Sequence, residues 1–364
     1  PVLITAFTNS APSPDDLLIV VKAGSEATAD EARPQGDEML ARRSASTGAE
    51  FRPRSLEAAA RQLPEAAWVL VSVPGRFAAG VARDALRLGK NVFLYSDNVS
   101  LDDELELKRT ATDAGLLVMG PDCGTAIIGG VGFGFANMVR RGSIGLVAAS
   151  GTGLQAVTSA IHTLGAGVSQ AIGTGGRDLH TEVGALTAQQ ALDVLRRDPA
   201  TEAIVVISKP PGAEVAERLV GAARRCGRPV VFDLIGEAGF RGPLGMLHFA
   251  SSLEDAAEIA VGWVSSSSSS PILSTTAPGR ARYVRGLFSG GTLAYEAVLA
   301  LQYALAPLAS NVPLHPGQQL ADPLQSRGNT ILDLGADDFT VGRLHDAVVA
   351  PGQALVSLGT AASL

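Results

Sequence analysis

Two short glycine turns carry the residues of this chain best suited to chemistry. They are Ser150-Gly151-Thr152-Gly153, within GLVAASGTGLQAV, and Gly173-Thr174-Gly175-Gly176, within AIGTGG. Each follows an apolar run of strand character. Helical spacing resumes directly after the first turn and a few residues after the second. Glycine lets a backbone approach a ligand closely, and the N–H groups and dipole of a helix start favour phosphate or carboxylate. Glycine also closes tight strand-to-helix turns with no ligand at all, so either turn alone is ambiguous. Two such turns at the carboxyl ends of adjacent strands, where open sheets bind ligands, point to an anion site.

Charged residues stand beside both turns. Arg177 and Asp178 follow the second, and Lys209, in ISKPPG, ends the apolar run AIVVIS. Arginine can hold a planar oxyanion through two parallel hydrogen bonds, and lysine acts on phosphate as a point charge. A solvated salt bridge at a sheet edge is the other reading of these positions. Two stiffening prolines follow Lys209 and favour a fixed role for it. Arg177 and Lys209 are therefore the candidate catalytic residues.

The stretch MGPDCGTAIIGG adds Asp122, Cys123, Gly124 and Thr125 as candidate substrate contacts. Cys123 has no base near it in sequence, so a turn presenting N–H groups and the Thr125 hydroxyl fits better than a thiolate nucleophile. Five histidines, His162, His180, His248, His315 and His345, show no metal-ligand spacing, and no metal is expected. His180 alone lies near the Arg177 loop.

The elements that must position these residues alternate strand and helix. AAWVLVSVPG, RFAAGVARDALRLGK, NVFLYSD and SLDDELELKRTATDAG read as strand, helix, strand and helix, with Ser100 as an N-cap. The pattern continues through SIGLVAAS, GLQAVTSAIHTLG, VSQAIGTGG, TAQQALDVLRRD, TEAIVVIS, AEVAERLVGAARRCG and PVVFDLIG. Short connections between alternating elements predict doubly wound parallel sheets covered on both faces. DLLIVVKAG near the start reads as a further strand.

A Ser/Thr/Pro-rich linker, WVSSSSSSPILSTTAPG, precedes RGLFSGGTLAYEAV, where Ser289, Gly290, Gly291 and Thr292 repeat the design of the first turn. LDLGADDFTVG likewise echoes AIGTGGRDLHTEVG, so an internal duplication is expected. The second copy is short of the strands needed to complete it. The predicted domains are residues 1–142, 143–263 and 283–364, joined by a linker at 264–282.

Composition narrows the partners. The 364 residues are 46% hydrophobic and 18% charged, which is a globular make-up of more than one domain. A net charge of −7, with no basic run, argues against nucleic acid and leaves a small anion to be held by local dipoles. No apolar run is long enough to span a membrane. Two cysteines, Cys123 and Cys226, fit a reducing cytoplasm better than a disulfide or metal scaffold. The chain opens at Pro1 without Met, so it reads as a fragment or as a record of ordered residues only.

In order, GLLVMGPDCG, SIGLVAASGTGLQAV, AIGTGGRD and RRDPATEAIVVIS resemble the α subunit of succinyl-CoA synthetase. They resemble more closely its relatives, the FdrA proteins. VSVPGRFAAG, LYSDNVS, FANMVRRG and the C-terminal RGLFSGGTLAYEAV with LDLGADDFTVGRLH strengthen the FdrA match, which covers roughly residues 64–262 and 283–345. The resemblance implies a Rossmann-like CoA-binding-type domain followed by flavodoxin-like domains of the succinyl-CoA-synthetase type. It also implies further enzyme subunits or a homo-oligomer.

The chain departs from the synthetase in three places. GEAGFRGPLGMLHFASSLEDAAEIA passes quickly to a helix, with His248 beside it and not in a Gly-rich loop. Lys209 stands where the synthetase steadies its phosphohistidine with Glu. The Gly-rich CoA-binding turn is not evident near the N-terminus, although CoA remains a possible ligand. The FdrA resemblance implies a carbamoyltransferase that splits oxalurate with phosphate into oxamate and carbamoyl phosphate. The alternatives are an ADP-forming acyl-CoA synthetase subunit and a non-catalytic ligand-binding subunit. Under the FdrA reading, both turns hold phosphoryl oxygens and Lys209 and Arg177 neutralise developing charge. Ser289 to Thr292 do the same for the second copy or keep the fold.

Overall fold

The computed structural model describes residues 53–235, 242–264 and 283–336, together with Phe339 and the backbone of 354–359. The predicted strand DLLIVVKAG, most of the linker and His345 lie outside the described residues.

The first sheet is parallel, in the order β1 (Trp68–Val71), β2 (Asn91–Leu94), β3 (Val118–Met119). A short helix, α1 (Leu56–Gln62), precedes it. Helices α2 (Gly75–Arg87) and α3 (Leu101–Asp113) follow β1 and β2. In α2, Ala78, Ala79, Ala82, Ala85 and Leu86 are buried along one stripe, the spacing that commits a helix to a sheet. Ser100 caps α3 as predicted, its Oγ accepting from the Asp103 N–H at 3.1 Å.

The central sheet has eight strands, ordered β10 (Gly242–Leu244), β11 (Leu247–Phe249), β9 (Val230–Leu234), β8 (Ala203–Ser208), β6 (Arg141–Ala148), β7 (Val168–Gly173), β4 (Thr125–Ile128), β5 (Val131–Gly134). Its parallel core is β6, β7, β8, β9 and β11. All six residues of β8 are buried, the mark of a strand covered on both faces. Helix α4 (Gly151–Thr163) packs with α7 (Leu253–Val264) on one face, and α5 (Leu186–Arg197) with α6 (Ala213–Arg225) on the other.

Antiparallel strands sit at both edges: β10 (Gly242–Leu244), and the hairpin β4 (Thr125–Ile128) and β5 (Val131–Gly134). The hairpin joins the central sheet through Ile127 and Ala171, so the sequence boundary at 142/143 falls inside one sheet. Phe133 meets Trp68 and Phe93 edge-on at 5.7 and 5.5 Å, which fastens the same hairpin to the first sheet.

The C-terminal sheet runs β13 (Leu308–Ser310), β14 (Asn329–Asp333), β12 (Tyr283–Phe288), β15 (Ala354–Gly359). Its first three strands are parallel and β15 is antiparallel to β12. The described part of the second copy thus keeps the strand, glycine turn and helix, α8 (Gly291–Leu301), but not the five-strand parallel core of the first. Tandem α/β units with parallel cores are what the sequence pattern predicts, and the antiparallel edges are what it does not show.

Candidate functional site

A cleft of about 560 Å³ opens at the carboxyl ends of β6, β8 and β12. Chain order places it there: β6 leads through α4 to β7 on one side, and the chain then crosses back to add β8 on the other. That reversal opens a crevice outside the strand ends. Ser150 leaves β6, Lys209 and Pro210 leave β8, and Ser289 to Thr292 leave β12, and all of them line it.

Ser150 is the N-cap of α4. Its Oγ accepts from the Gly153 N–H at 3.0 Å and meets the Thr292 hydroxyl at 2.7 Å. The N–H groups of Gly151 and Thr152 belong to the first helical turn, which has no helical acceptors. The start of α8 lies opposite. Gly290 packs so closely on Thr152 that a Cβ there would overlap the threonine side chain, which is why the second copy needs glycine at this point. Two helix starts therefore line one cleft. Lys209 is exposed and forms no ion pair with any described residue.

The second turn is built differently. The Thr174 side chain is fully buried and its N–H donates to the Ala148 carbonyl at 2.8 Å, so it does not line the cleft. A Cβ on Gly173 would run into the Thr125 carbonyl oxygen and come within 2.6 Å of Cys123 Sγ. Gly175, at φ +87, is packed on Pro121 and Gly120. These glycines close a seam between the second turn and the segment before β4; of the four, only Gly176 reaches the cleft.

Arg177 is also turned away from the cleft. Its Nη2 lies 2.9 Å from Glu104 Oε2 and donates to the Val99 carbonyl at 2.8 Å. Glu104 in turn pairs with Lys108 at 2.9 Å, and Lys108 with Asp178 at 2.7 Å. Asp178 Oδ1 and Oδ2 accept from the Thr187 and Ala188 N–H groups at 3.0 and 2.9 Å, capping α5 from a distance. Ala185, the residue in the N-cap position, has no side-chain oxygen to do this. Lys108, Glu104 and Asp178 are buried, and the network ties α3 to the second turn. Asp178 is thus a structural partner of Lys108 in this arrangement and not a cleft residue.

The segment before β4 divides. Asp122, Gly124 and Thr125 line the cleft. Burial, followed by the Asp97 carboxylate, raises the Asp122 carboxyl above its ordinary range. Cys123 is 3% exposed, and burial pushes its thiol up to about 12, opposite to what a nucleophile needs.

His180 lines the cleft. His162 Nδ1 accepts from the Arg140 N–H at 3.0 Å, and His248 on β11 lies 6.4 Å from the Trp263 ring; neither belongs to the cleft. Among the described residues no group of His, Cys, Asp and Glu has the geometry of a metal site, and no helix is long and apolar enough to cross a membrane.

Three features were not singled out in the sequence. Gln155, on α4, is 4% exposed, lines the cleft and donates through Nε2 to the Thr125 hydroxyl at 2.8 Å. Phe135 forms one wall and stacks edge-on with Tyr95 at 5.5 Å. Asp233, at the end of β9, is buried with Oδ2 unpartnered among the described residues; burial, then Glu296 and Asp255, raise it to about 7. Gln155 sits five residues past Ser150, and a polar residue on the inward face of an apolar helix was the signal available for it.

No family model matches the chain. Over 344 residues it is 42% identical to the uncharacterized protein YahF of Escherichia coli (strain K12), covering 92% of this chain and 67% of YahF. The chain belongs to the family of YahF. It is also 30% identical over 175 residues to the succinate–CoA ligase [ADP-forming] subunit alpha of Aquifex aeolicus (strain VF5), covering 46% of this chain and 55% of that subunit.

A similar match, 27% over 164 residues, is to the ADP-forming sulfoacetate-CoA ligase subunit SauD of Bilophila wadsworthia (strain 3_1_6), covering 42% of this chain and 55% of SauD. Part of the chain is thus similar to subunits of ADP-forming CoA ligases, and the chain spans about half the length of these ligase relatives. Among solved structures, the dinucleotide forming acetyl-coenzyme A synthetase 1 of Ca. Korarchaeum cryptofilum overlays with a TM-score of 0.44 at 18% identity, covering 65% of this chain and 54% of that one.

Proposed function

We propose that the cleft binds a phosphoryl group and that the chain is a subunit of an enzyme that handles an acyl phosphate. The observation that supports this most is the convergence of the α4 and α8 starts and Lys209 on one cleft. An anion seated there meets the N–H groups of Gly151 and Thr152, the opposing turn at Gly291 and Thr292, and the Lys209 ammonium. Donors fixed before the ligand arrives stabilise charge as it develops on transferring oxygens, with little reorganisation.

The relatives favour an ADP-forming acyl-CoA ligase of the succinyl-CoA synthetase kind. Such a ligation releases phosphate, which the cleft would cradle, and the names of those relatives, each a ligase subunit, support a partner subunit. CoA would then be the acyl acceptor.

A second reading follows from Lys209 itself. A lysine at the end of β8 attracts free phosphate, which suits direct attack by phosphate on a carbonyl, as in the FdrA-like carbamoyltransferase. There a phosphate oxygen adds to the ureido carbon of oxalurate, the C–N bond to oxamate breaks, and the departing nitrogen takes a proton. The cleft N–H groups and Lys209 hold the phosphate and the oxyanion in this scheme.

Calorimetric titration separates the readings. Phosphate and CoA both binding supports the ligase; phosphate and carbamoyl phosphate binding without CoA supports the transferase. Failure of every phosphate ligand to bind sinks the phosphoryl assignment and leaves a subunit that kept only the fold.

A further inference from the structure

The seam between the central sheet and the C-terminal unit carries acids from three elements. Asp233 ends β9 and is 2% exposed, Asp255 stands in the first turn of α7, and Glu296 lies on α8. Glu296 Oε1 accepts from the Leu253 N–H at 2.9 Å, across the seam. Asp255 Oδ2 accepts from the Ser251 N–H and hydroxyl at 2.7 and 2.8 Å, which ties down the start of α7. Asp233 Oδ2 has no partner among the described residues. The charged groups that act on Asp233 are Glu296 and Asp255, and Glu254 acts on Glu296 in turn; all are acidic.

The seam is thinly packed. Leu293 and Tyr295 of α8 rest on the core of the central sheet, Gly290 sits on Thr152, and the Thr292 hydroxyl meets Ser150 Oγ at 2.7 Å. Beside these contacts lies a cavity of about 580 Å³, lined by Ala156 and Ala160 of α4, Leu293 and Ala297 of α8, and the carboxylates Glu254 and Glu296. A cavity of that size with polar groups on its wall has room for water.

A carboxylate buried without a cation or N–H donors is costly, so the docked seam favours neutral Asp233. Burial, then Glu296 and Asp255, raise Asp233 to about 7, and burial also raises Glu296. Linkage fixes the direction. The docked state holds a proton that a solvated aspartate gives up, so docking is strongest below the ordinary aspartate range. It weakens as pH climbs to about 7 and levels off above.

We propose that this seam is a proton-operated latch, in which neutral Asp233 lets α8 dock on the central sheet and ionised Asp233, facing Glu296 and Asp255, releases it. Ser289 to Thr292 line the cleft in the docked arrangement, so release also takes the cleft apart. The inference needs no assignment of the cleft's ligand.

Met138, 98% exposed before β6, and Tyr303, 89% exposed after α8, lie on the two sides of the seam and outside the cleft. Met138→Cys with Tyr303→Cys takes a fluorescent donor and acceptor, while Cys123 and Cys226 are buried. Single-molecule energy transfer on the full chain is expected to show a short-distance population that gives way to a longer one as pH rises. The ratio of long to short grows by up to about tenfold per pH unit between about pH 5 and about pH 7, then levels off. Asp233→Asn cannot ionise and is expected to keep the short population throughout. Glu296→Gln retains an oxygen for the Leu253 N–H and is expected to lower the long fraction at about pH 7.

A single distance in the parent across this range overturns the latch, as does a transition that survives in folded Asp233→Asn. If Asp233→Asn does not fold, an unchanged long fraction in Glu296→Gln overturns it instead. Helical circular dichroism lost in step with the distance change would also overturn it, because the chain would then be unfolding and not undocking.

Discussion

The two Gly-Thr-Gly turns differ by little in sequence and by almost everything in environment. In the first, Ser150 caps a helix whose leading N–H groups face the cleft, and a Cβ on Gly151 would meet only the Thr125 hydroxyl, in ordinary contact at 3.7 Å. In the second, Thr174 is sealed under Ala148, Gly173 abuts the Thr125 carbonyl, and the neighbouring Arg177 and Asp178 belong to a buried charge network. The same glycines face an open cleft in one place and a packed segment of the same chain in the other. Glycine spacing records close approach; what approaches is decided by the rest of the fold.

The contrast breaks most visibly at Lys108. Lys108→Ala leaves Glu104 and Asp178 buried without their common cation, and stability measured by urea unfolding is expected to fall by about 3–5 kcal/mol. A loss below ~1 kcal/mol would mean the network does not join the first sheet to the second turn.

Asp233 sharpens the same contrast, since it is buried without the cation and N–H donors that Asp178 enjoys. Its folded pKa is raised, so the protonated form is the one the fold favours. Stability is greatest below the ordinary aspartate range, falls as pH climbs to about 7, and levels off above it. That rise corresponds to roughly 4 kcal/mol at most. Asp233→Asn is expected to gain stability over the parent between pH 4 and 7, with matching Tm values at the acid end. Parallel Tm curves would remove this reading.

Paired alanine substitutions compare the turns directly. Gly173→Ala forces a Cβ into backbone and is expected to destabilise by about 1–3 kcal/mol, whereas Gly151→Ala stays within about 0.5 kcal/mol. Equal effects in thermal unfolding would erase the distinction. A smaller loss than at Gly173 is expected at Ser150→Ala, which removes the cap and the bond to Thr292 and lowers stability by about 0.5–2 kcal/mol.

How far the sequence anticipates this arrangement depends on the range of the interaction. The alternation of strands and helices from Trp68 to Leu234 is legible because the elements carry their own periods, and in α3 its own cap, Ser100. The hairpin at Thr125–Gly134 is not, because its glycine-rich ends resemble a loop and its pairing partner Ala171 lies far along the chain. Lys209 and the first turn are placed in the cleft as the strand-end argument expects. Arg177, Asp178 and Thr174 are not, because their partners, Glu104, Lys108 and Ala148, come from elements whose packing no local pattern encodes. Gln155 escapes notice for the converse reason: its unpaired oxygen is visible only once the cleft is assembled.

The most direct test of the division between an open and a sealed turn is the phosphate Kd of Lys209→Ala and Arg177→Ala, read beside their Tm values. Lys209→Ala is expected to weaken phosphate about tenfold or more with Tm unchanged. Arg177→Ala is expected to lower Tm and leave Kd within about twofold of the parent. The reverse pattern, phosphate binding lost in Arg177→Ala and kept in Lys209→Ala, would contradict the account.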